Sequence, residues 1–276
     1  MKITVLAENT SSCGLPCEHG LSLYIESNGI TILFDAGQSD LFAENANTLG
    51  VDLGAVDFAV LSHGHYDHSG GLKRFLALND HAPVYLSRCA FETHLNASGK
   101  NIGVDPVLKE YGGPCPHPID AGGASPSPTK QRLFFTDGAC RISDHISLRS
   151  AQEVPDVIDF GSAGLSVIRG GKILPDDFRH EQYLLIEENG RTILFSGCAH
   201  KGVINIADRF RPDILFGGFH FMKMPLDDTL RGYAERLNRY KTAYYTCHCT
   251  GVEQYRFIEP YIQNLHYIAA GDVIEV

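Results

Sequence analysis

Within the six residues His63-Gly64-His65-Tyr66-Asp67-His68 the chain places three imidazoles and a carboxylate. The run Asp57-Phe58-Ala59-Val60-Leu61-Ser62 leads into them as a buried-type strand. Side chains alternate along extended chain, so His63 and His65 project to the same side. The chain then turns, and Asp67 and His68 open a helix through Ser69-Gly70-Gly71. Four ligand-type side chains thereby converge on one pocket. Imidazole nitrogen with carboxylate oxygen suits zinc, and also manganese or iron.

The elements that must position this cluster alternate in type. Strand-like runs occur at Ile3–Leu6, Leu21–Ile25, Thr31–Phe34, Phe58–Leu61, Val84–Leu86, Tyr183–Ile186, Thr192–Phe195, Ile214–Phe216 and Ala243–Tyr245. Helical patterns lie at Leu72–Leu78 and Thr229–Tyr240, the latter with Leu230, Tyr233, Ala234 and Leu237 on one stripe. The alternation predicts an α/β domain. The chain also echoes itself: Thr31-Ile32-Leu33-Phe34-Asp35-Ala36-Gly37 resembles Thr192-Ile193-Leu194-Phe195-Ser196-Gly197-Cys198. In each half a later strand runs into small residues and histidine, at His63-Gly64-His65 and at Gly217-Gly218-Phe219-His220. A duplicated half with histidines at equivalent strand ends is the reading this favours. Residues 112–128, rich in Gly and Pro, suit neither helix nor central strand. The single domain 1–276 is therefore expected to carry an insertion or lid at roughly 88–180.

Composition narrows the function. Of 276 residues, 23 are basic and 33 acidic, a net charge of −10, which argues against a nucleic-acid or anionic-membrane grip. No stretch approaches the ~18 apolar residues of a membrane span. The apolar start Ile3–Ala7 is too short for a signal peptide, so a cytoplasmic chain with its eight cysteines mostly reduced is expected.

His-x-His-x-Asp-His after a strand resembles the signature of the metallo-β-lactamase superfamily. The resemblance implies a four-layer αβ/βα sandwich of two similar halves, with metal at the strand ends. Glu18-His19-Gly20-Leu21-Ser22, Ser196–Asn205, Gly217–His220 and Cys247-His248-Cys249-Thr250-Gly251 further resemble its dihydropterin-type branch. By this resemblance His63, His65 and His200 hold one metal, and Asp67, His68 and His248 a second. Two zinc ions are expected, with manganese or iron as alternatives. Asp35 matches an early aspartate that orients a ligand histidine. The superfamily often has Gly-Asp where this chain has Gly197-Cys198, so Cys198 bridges the metals, binds one, or stands by. His180 competes with His200 for the third-ligand role. His220 contacts substrate or is structural, and Glu18 and His19 line the pocket or cap a loop.

The expected chemistry is hydrolysis by metal-activated hydroxide, with Asp67 and His220 as catalytic groups, on an ester, thioester or phosphoester of a small molecule. The branch name implies instead a transferase joining a pterin to a ribosyl-aminobenzene phosphate. An iron-dependent dioxygenase on the same fold is the other alternative. His81, His94, His117, His145 and His266 have no constellation around them in sequence.

Overall fold

The strand Ile30–Phe34 shows how the frame is built. Ile32 and Phe34 enter one apolar cluster while Leu33 between them enters another, all three fully buried. A strand that is apolar on both faces must lie inside a layered structure. The computed structural model describes residues 1–113 and 131–276. Most of the Gly/Pro-rich stretch expected to form a loop, residues 114–128, therefore lies outside the described residues.

The first part of the chain forms β1 (Lys2–Ala7), β2 (Ser22–Ser27), β3 (Ile30–Phe34), α1 (Leu41–Thr48), β4 (Phe58–Val60), α2 (Tyr66–Ser69), α3 (Leu72–Leu78) and β5 (Val84–Ser87). The middle adds β6 (Thr93–Leu95), β7 (Gly112–Gly113), β8 (Leu133–Thr136), β9 (Cys140–Arg141), β10 (Ile146–Ser150), β11 (Ser166–Arg169) and β12 (Lys172–Pro175). The last part forms β13 (Gln182–Glu188), β14 (Arg191–Phe195), α4 (Val203–Phe210), β15 (Ile214–Phe216), α5 (Asp228–Leu237), β16 (Ala243–Thr246), α6 (Val252–Ile258), β17 (Leu265–Tyr267) and β18 (Val273–Glu275).

These strands make an eight-stranded sheet, β18-β1-β2-β3-β4-β5-β8-β7, and a seven-stranded sheet, β17-β16-β15-β14-β13-β10-β9. Ile3, Val5, Phe34 and Phe58 of the first sheet share one core with Leu184, Phe195 and Phe216 of the second. On the outer faces, Leu33 packs with Phe42 and Phe75, and Leu194 and Leu215 with Val203, Leu230 and Leu237. This is the expected αβ/βα sandwich. The echoed strands hold equivalent places: β3 pairs parallel with β4, and β14 parallel with β15. Phe34 and Phe195, the matching residues of the echo, meet across the interface with ring centres 5.7 Å apart.

All nine expected strands are present, most extended by a residue or two. The helix expected at Thr229–Tyr240 starts one residue earlier, because the Asp227 carboxylate accepts from Thr229 and Leu230 N–H, and it stops at Leu237. Part of the stretch 88–180 belongs to the frame: β8 lies beside β5, and β10 beside β13, with Leu133, Ile146 and Leu148 buried. The rest of its strands include a separate sheet, β12-β11-β6, at the edge of the site.

Candidate metal centre

The histidine cluster begins where β4 ends. Gly64 separates His63 from His65 because a Cβ there would sit 2.3 Å from the carbonyl oxygen of Ala90. Behind the cluster stands Asp35, just past β3, in a left-handed conformation (φ 59°). Its carboxylate accepts from the Ser62 N–H (2.7 Å), the Ser62 hydroxyl (2.7 Å) and Nδ1 of His68 (2.7 Å). The Ser62 hydroxyl in turn lies 2.8 Å from Nδ1 of His63. Nδ1–H of His68 donates to a carboxylate, so in the neutral ring Nε2 presents a lone pair to the site. That Nε2 is 3.2 Å from the sulfur of Cys198.

Two sets of donor atoms lie side by side. His63, His65 and His200 form one, with Nε2 of His63 and of His200 3.3 Å apart. In the other, Oδ2 of Asp67 is 3.3 Å from Nε2 of His248, 3.3 Å from Nε2 of His19 and 4.0 Å from Nε2 of His68. Ligands held about 2.1 Å from one tetrahedral ion stand roughly 3.4 Å from each other, which is the spacing seen. Asn9 fixes His248, its side-chain oxygen 2.8 Å from Nδ1. Buried ring nitrogens at the centre, Nε2 of His65 among them, have no hydrogen-bond partner. Such orphans are costly unless something fills the space between them. These residues fit a bound cation.

The electrostatics agree. Burial and neighbouring imidazoles hold His63 and His200 well below the usual imidazole range, so they stay neutral donors. Burial does the same to His65, assisted by His180 and His94. Burial pushes Asp67 upward, but His68, His19 and His248 outweigh it and keep it ionised. Burial opposes charge on His68, yet Asp35 and Asp67 raise its pKa. Among the described residues, the ion-pair partners of these two carboxylates are imidazoles, with no Lys or Arg. The site calls for added positive charge.

The remaining polar residues near the centre take distinct places. Glu18 does not face the cavity: its carboxylate accepts from Gln38 N–H, Ser39 N–H and the Ser39 hydroxyl, tying down the loop after β3. His19, by contrast, faces Asp67 directly. His94 has no constellation in the sequence but has one in the structure. Its Nδ1 donates to Asp176 (2.8 Å), and its ring packs against His180, centres 3.9 Å apart and planes tilted by 40°. His65, His94, Asp176 and His180 form one buried group. No local pattern could have revealed it, since β6 carries His94 and β12 delivers Asp176 from 82 residues away. Cys247 is buried in the core between the sheets while Cys249 faces the site, so the two do not pair as in a zinc knuckle.

The centre opens into a cavity of about 630 Å³. Cys198, His200, His220 and His248 form part of its floor, and Phe160, Leu165, Phe219, Met222 and Tyr233 give it apolar walls. Ile102 and residues 159–165, from the middle of the chain, supply one side. Among the described residues no helix is long and apolar enough to cross a membrane.

Residues 15–244 match the family model described as the metallo-beta-lactamase superfamily. Over 99% of its length the chain is 28% identical to the whole of MJ0448, an uncharacterized protein of Methanocaldococcus jannaschii. It is 26% identical, across its whole length and 96% of the relative, to the 7,8-dihydropterin-6-methyl-4-(beta-D-ribofuranosyl)-aminobenzene-5'-phosphate synthase of the same organism. The solved structure of Tm1679, described as a metal-dependent hydrolase of the beta-lactamase superfamily, superimposes with a TM-score of 0.80 at 27% identity, covering 100% of this chain and 99% of that one.

Proposed function

Because this chain belongs to the metallo-β-lactamase superfamily, we propose that it is a metal-dependent hydrolase of a small ester, thioester or phosphoester. The observation that carries this reading is the pair of adjoining donor sets, His63/His65/His200 and Asp67/His68/His248, whose members His65, Asp67, His200 and His248 line one cavity. Tm1679 is described as a hydrolase, which supports the same reaction class. The synthase relative keeps a transferase as the competing reading.

His200 is the better third ligand beside His63 and His65. The backbone N–H of Gly64 donates to Nδ1 of His180 (2.9 Å), so the neutral His180 ring carries its proton on Nε2. That N–H faces Asp176 at 3.4 Å and has no lone pair for an ion. His94, His180 and Asp176 serve to hold the His65 ring, packed 5.5 and 5.1 Å from the first two.

Zinc is the ion class we favour, two per chain, and His63, His65 and His200 would hold one and Asp67, His68 and His248 the other; the ions would supply Lewis-acid activation of water and of the scissile carbonyl or phosphoryl group. Asp35 fixes the His68 tautomer. Asp67, ionised and at the cavity floor, accepts a proton or hydrogen bond from the attacking water and so orients it. His220 reaches the same cavity, where its ring can contact the substrate. The aromatic and methionine walls bury the apolar part of the substrate and exclude water. Assay of the metal-loaded protein against ester, thioester and phosphodiester panels tests this. Turnover of one class, lost in Asp67→Asn, is expected; condensation of a pterin with a phosphorylated arylamine riboside, without hydrolysis, would replace it with the transferase.

A further inference from the structure

Three adjacent parallel strands of the second sheet, β14, β15 and β16, each end in a donor atom not used by the two sets above. After β14 comes Cys198, after β15 His220, and after β16 Cys249. Their sulfur and nitrogen atoms all lie within 4.8 Å of one another. The loops carrying them are tied together. Gly218 N–H donates to Gly197 O (2.7 Å), Phe219 N–H to the Thr250 hydroxyl (2.8 Å), and Met222 N–H to Cys249 O (3.0 Å). His220 itself sits in a left-handed conformation (φ 57°). The backbone also clears room for sulfur, since a Cβ on Gly218 would stand 2.3 Å from Sγ of Cys249. A donor cluster held this firmly on rigid strand ends is built for precise geometry.

Ordinary packing does not account for the trio. Nδ1 of His220 is buried with no hydrogen-bond partner. The Cys249 thiol donates to the Cys198 carbonyl at 3.5 Å, and its sulfur also meets the side chains of Cys198 and His220. Both thiols are almost fully buried yet border the cavity, so an ion can reach them from solvent. Two thiols and an imidazole, with the cavity as the open fourth direction, form a Cys₂His set suited to zinc-class ions.

We propose that Cys198, His220 and Cys249 form a further cation position that takes a thiolate-preferring divalent ion. Cys198, whose sulfur is 3.2 Å from Nε2 of His68, joins this position to the Asp67/His68/His248 set. Binding converts two S–H groups to thiolates, and their two protons leave to solvent. The position extends the metal centre of the preceding reading but is tested separately from it.

Cobalt(II) is the probe, added to the metal-stripped full chain in which the exposed Cys13 and Cys17 are serine. Thiolate-to-cobalt charge-transfer absorption in the near ultraviolet is expected. Cys249→Ser should remove the share carried by one of two thiolates, and His63→Ala should leave the band in place. Cobalt bound without this band overturns the proposal while leaving the histidine–aspartate centre intact. No cobalt bound at all overturns both. Alkylation with iodoacetamide gives a check that needs no variant of the site. Cadmium should protect Cys198 and Cys249 but not Cys89, and equal labelling with and without cadmium contradicts the assignment.

Discussion

Nδ1 of His68 donates to Oδ2 of Asp35 across 2.7 Å, and neither side chain is exposed to solvent. The same carboxylate holds Ser62, and Ser62 holds His63. One residue thus orients a histidine in each donor set. Asp35→Asn keeps the shape, and asparagine tolerates the left-handed backbone, but the charge is lost. Metal affinity should fall about 10- to 100-fold, as for other partners of ligand histidines. Competition with a chelator measures this; unchanged affinity would reduce Asp35 to a loop anchor.

The Phe34–Phe195 contact joins the two halves at the centre of the sandwich. Each Phe→Ala change should cost about 3–5 kcal/mol of unfolding free energy. The double variant should show a coupling of about 0.5–1.5 kcal/mol, the value typical of touching rings. Urea unfolding of the four proteins completes the cycle, and strict additivity would mean that the rings do not sense each other.

Gly64 lets the chain pass Ala90 while both neighbouring histidines reach the site. Gly64→Ala must push backbone aside, at about 1–3 kcal/mol or more. Because the displaced segment carries His63 and His65, weaker metal retention should accompany the loss. A lowered melting temperature with full metal content would separate the two effects.

Glu181 is fully buried beside the Lys201 N–H, and burial pushes its pKa up to about 8. In the unfolded chain it ionises near 4.5, so the folded state holds an extra proton between those values. Its contribution to stability is complete below pH 4.5 and is lost as pH rises through about 8. Subtracting the stability curve of Glu181→Gln from that of the parent isolates this term. The difference should fall steadily over that window, and a flat difference contradicts it.

What the sequence made legible follows from how local each signal is. His63, His65, Asp67 and His68 fall within one strand end and one helical turn, so period and turn chemistry suffice to bring them together. Phe34 and Phe195 were visible through the echo, since both halves repeat the same short alternating run. The His200 and His248 assignments came only through the family resemblance, because nothing in their own neighbourhoods points across the sandwich. His94 and Asp176 were not visible at all. A three-residue strand pairs His94 with Val167, and such a long-range register leaves no periodic trace. For Glu18 the sequence left two readings open, pocket lining or loop capping, because its carboxylate partners, the Gln38 and Ser39 backbone groups, lie 20 and 21 residues away.

A metal centre built on His63, His65, Asp67, His68, His200 and His248 should keep its ions through purification. Elemental analysis of the protein purified without added metal tests it most directly, alongside His63→Ala and His248→Ala. At least about two equivalents of divalent metal per chain are expected, as in two-metal hydrolytic sites, with His63→Ala and His248→Ala each depleting a different one. A protein that holds no metal even after reconstitution, or both variants at full metal content, would contradict it.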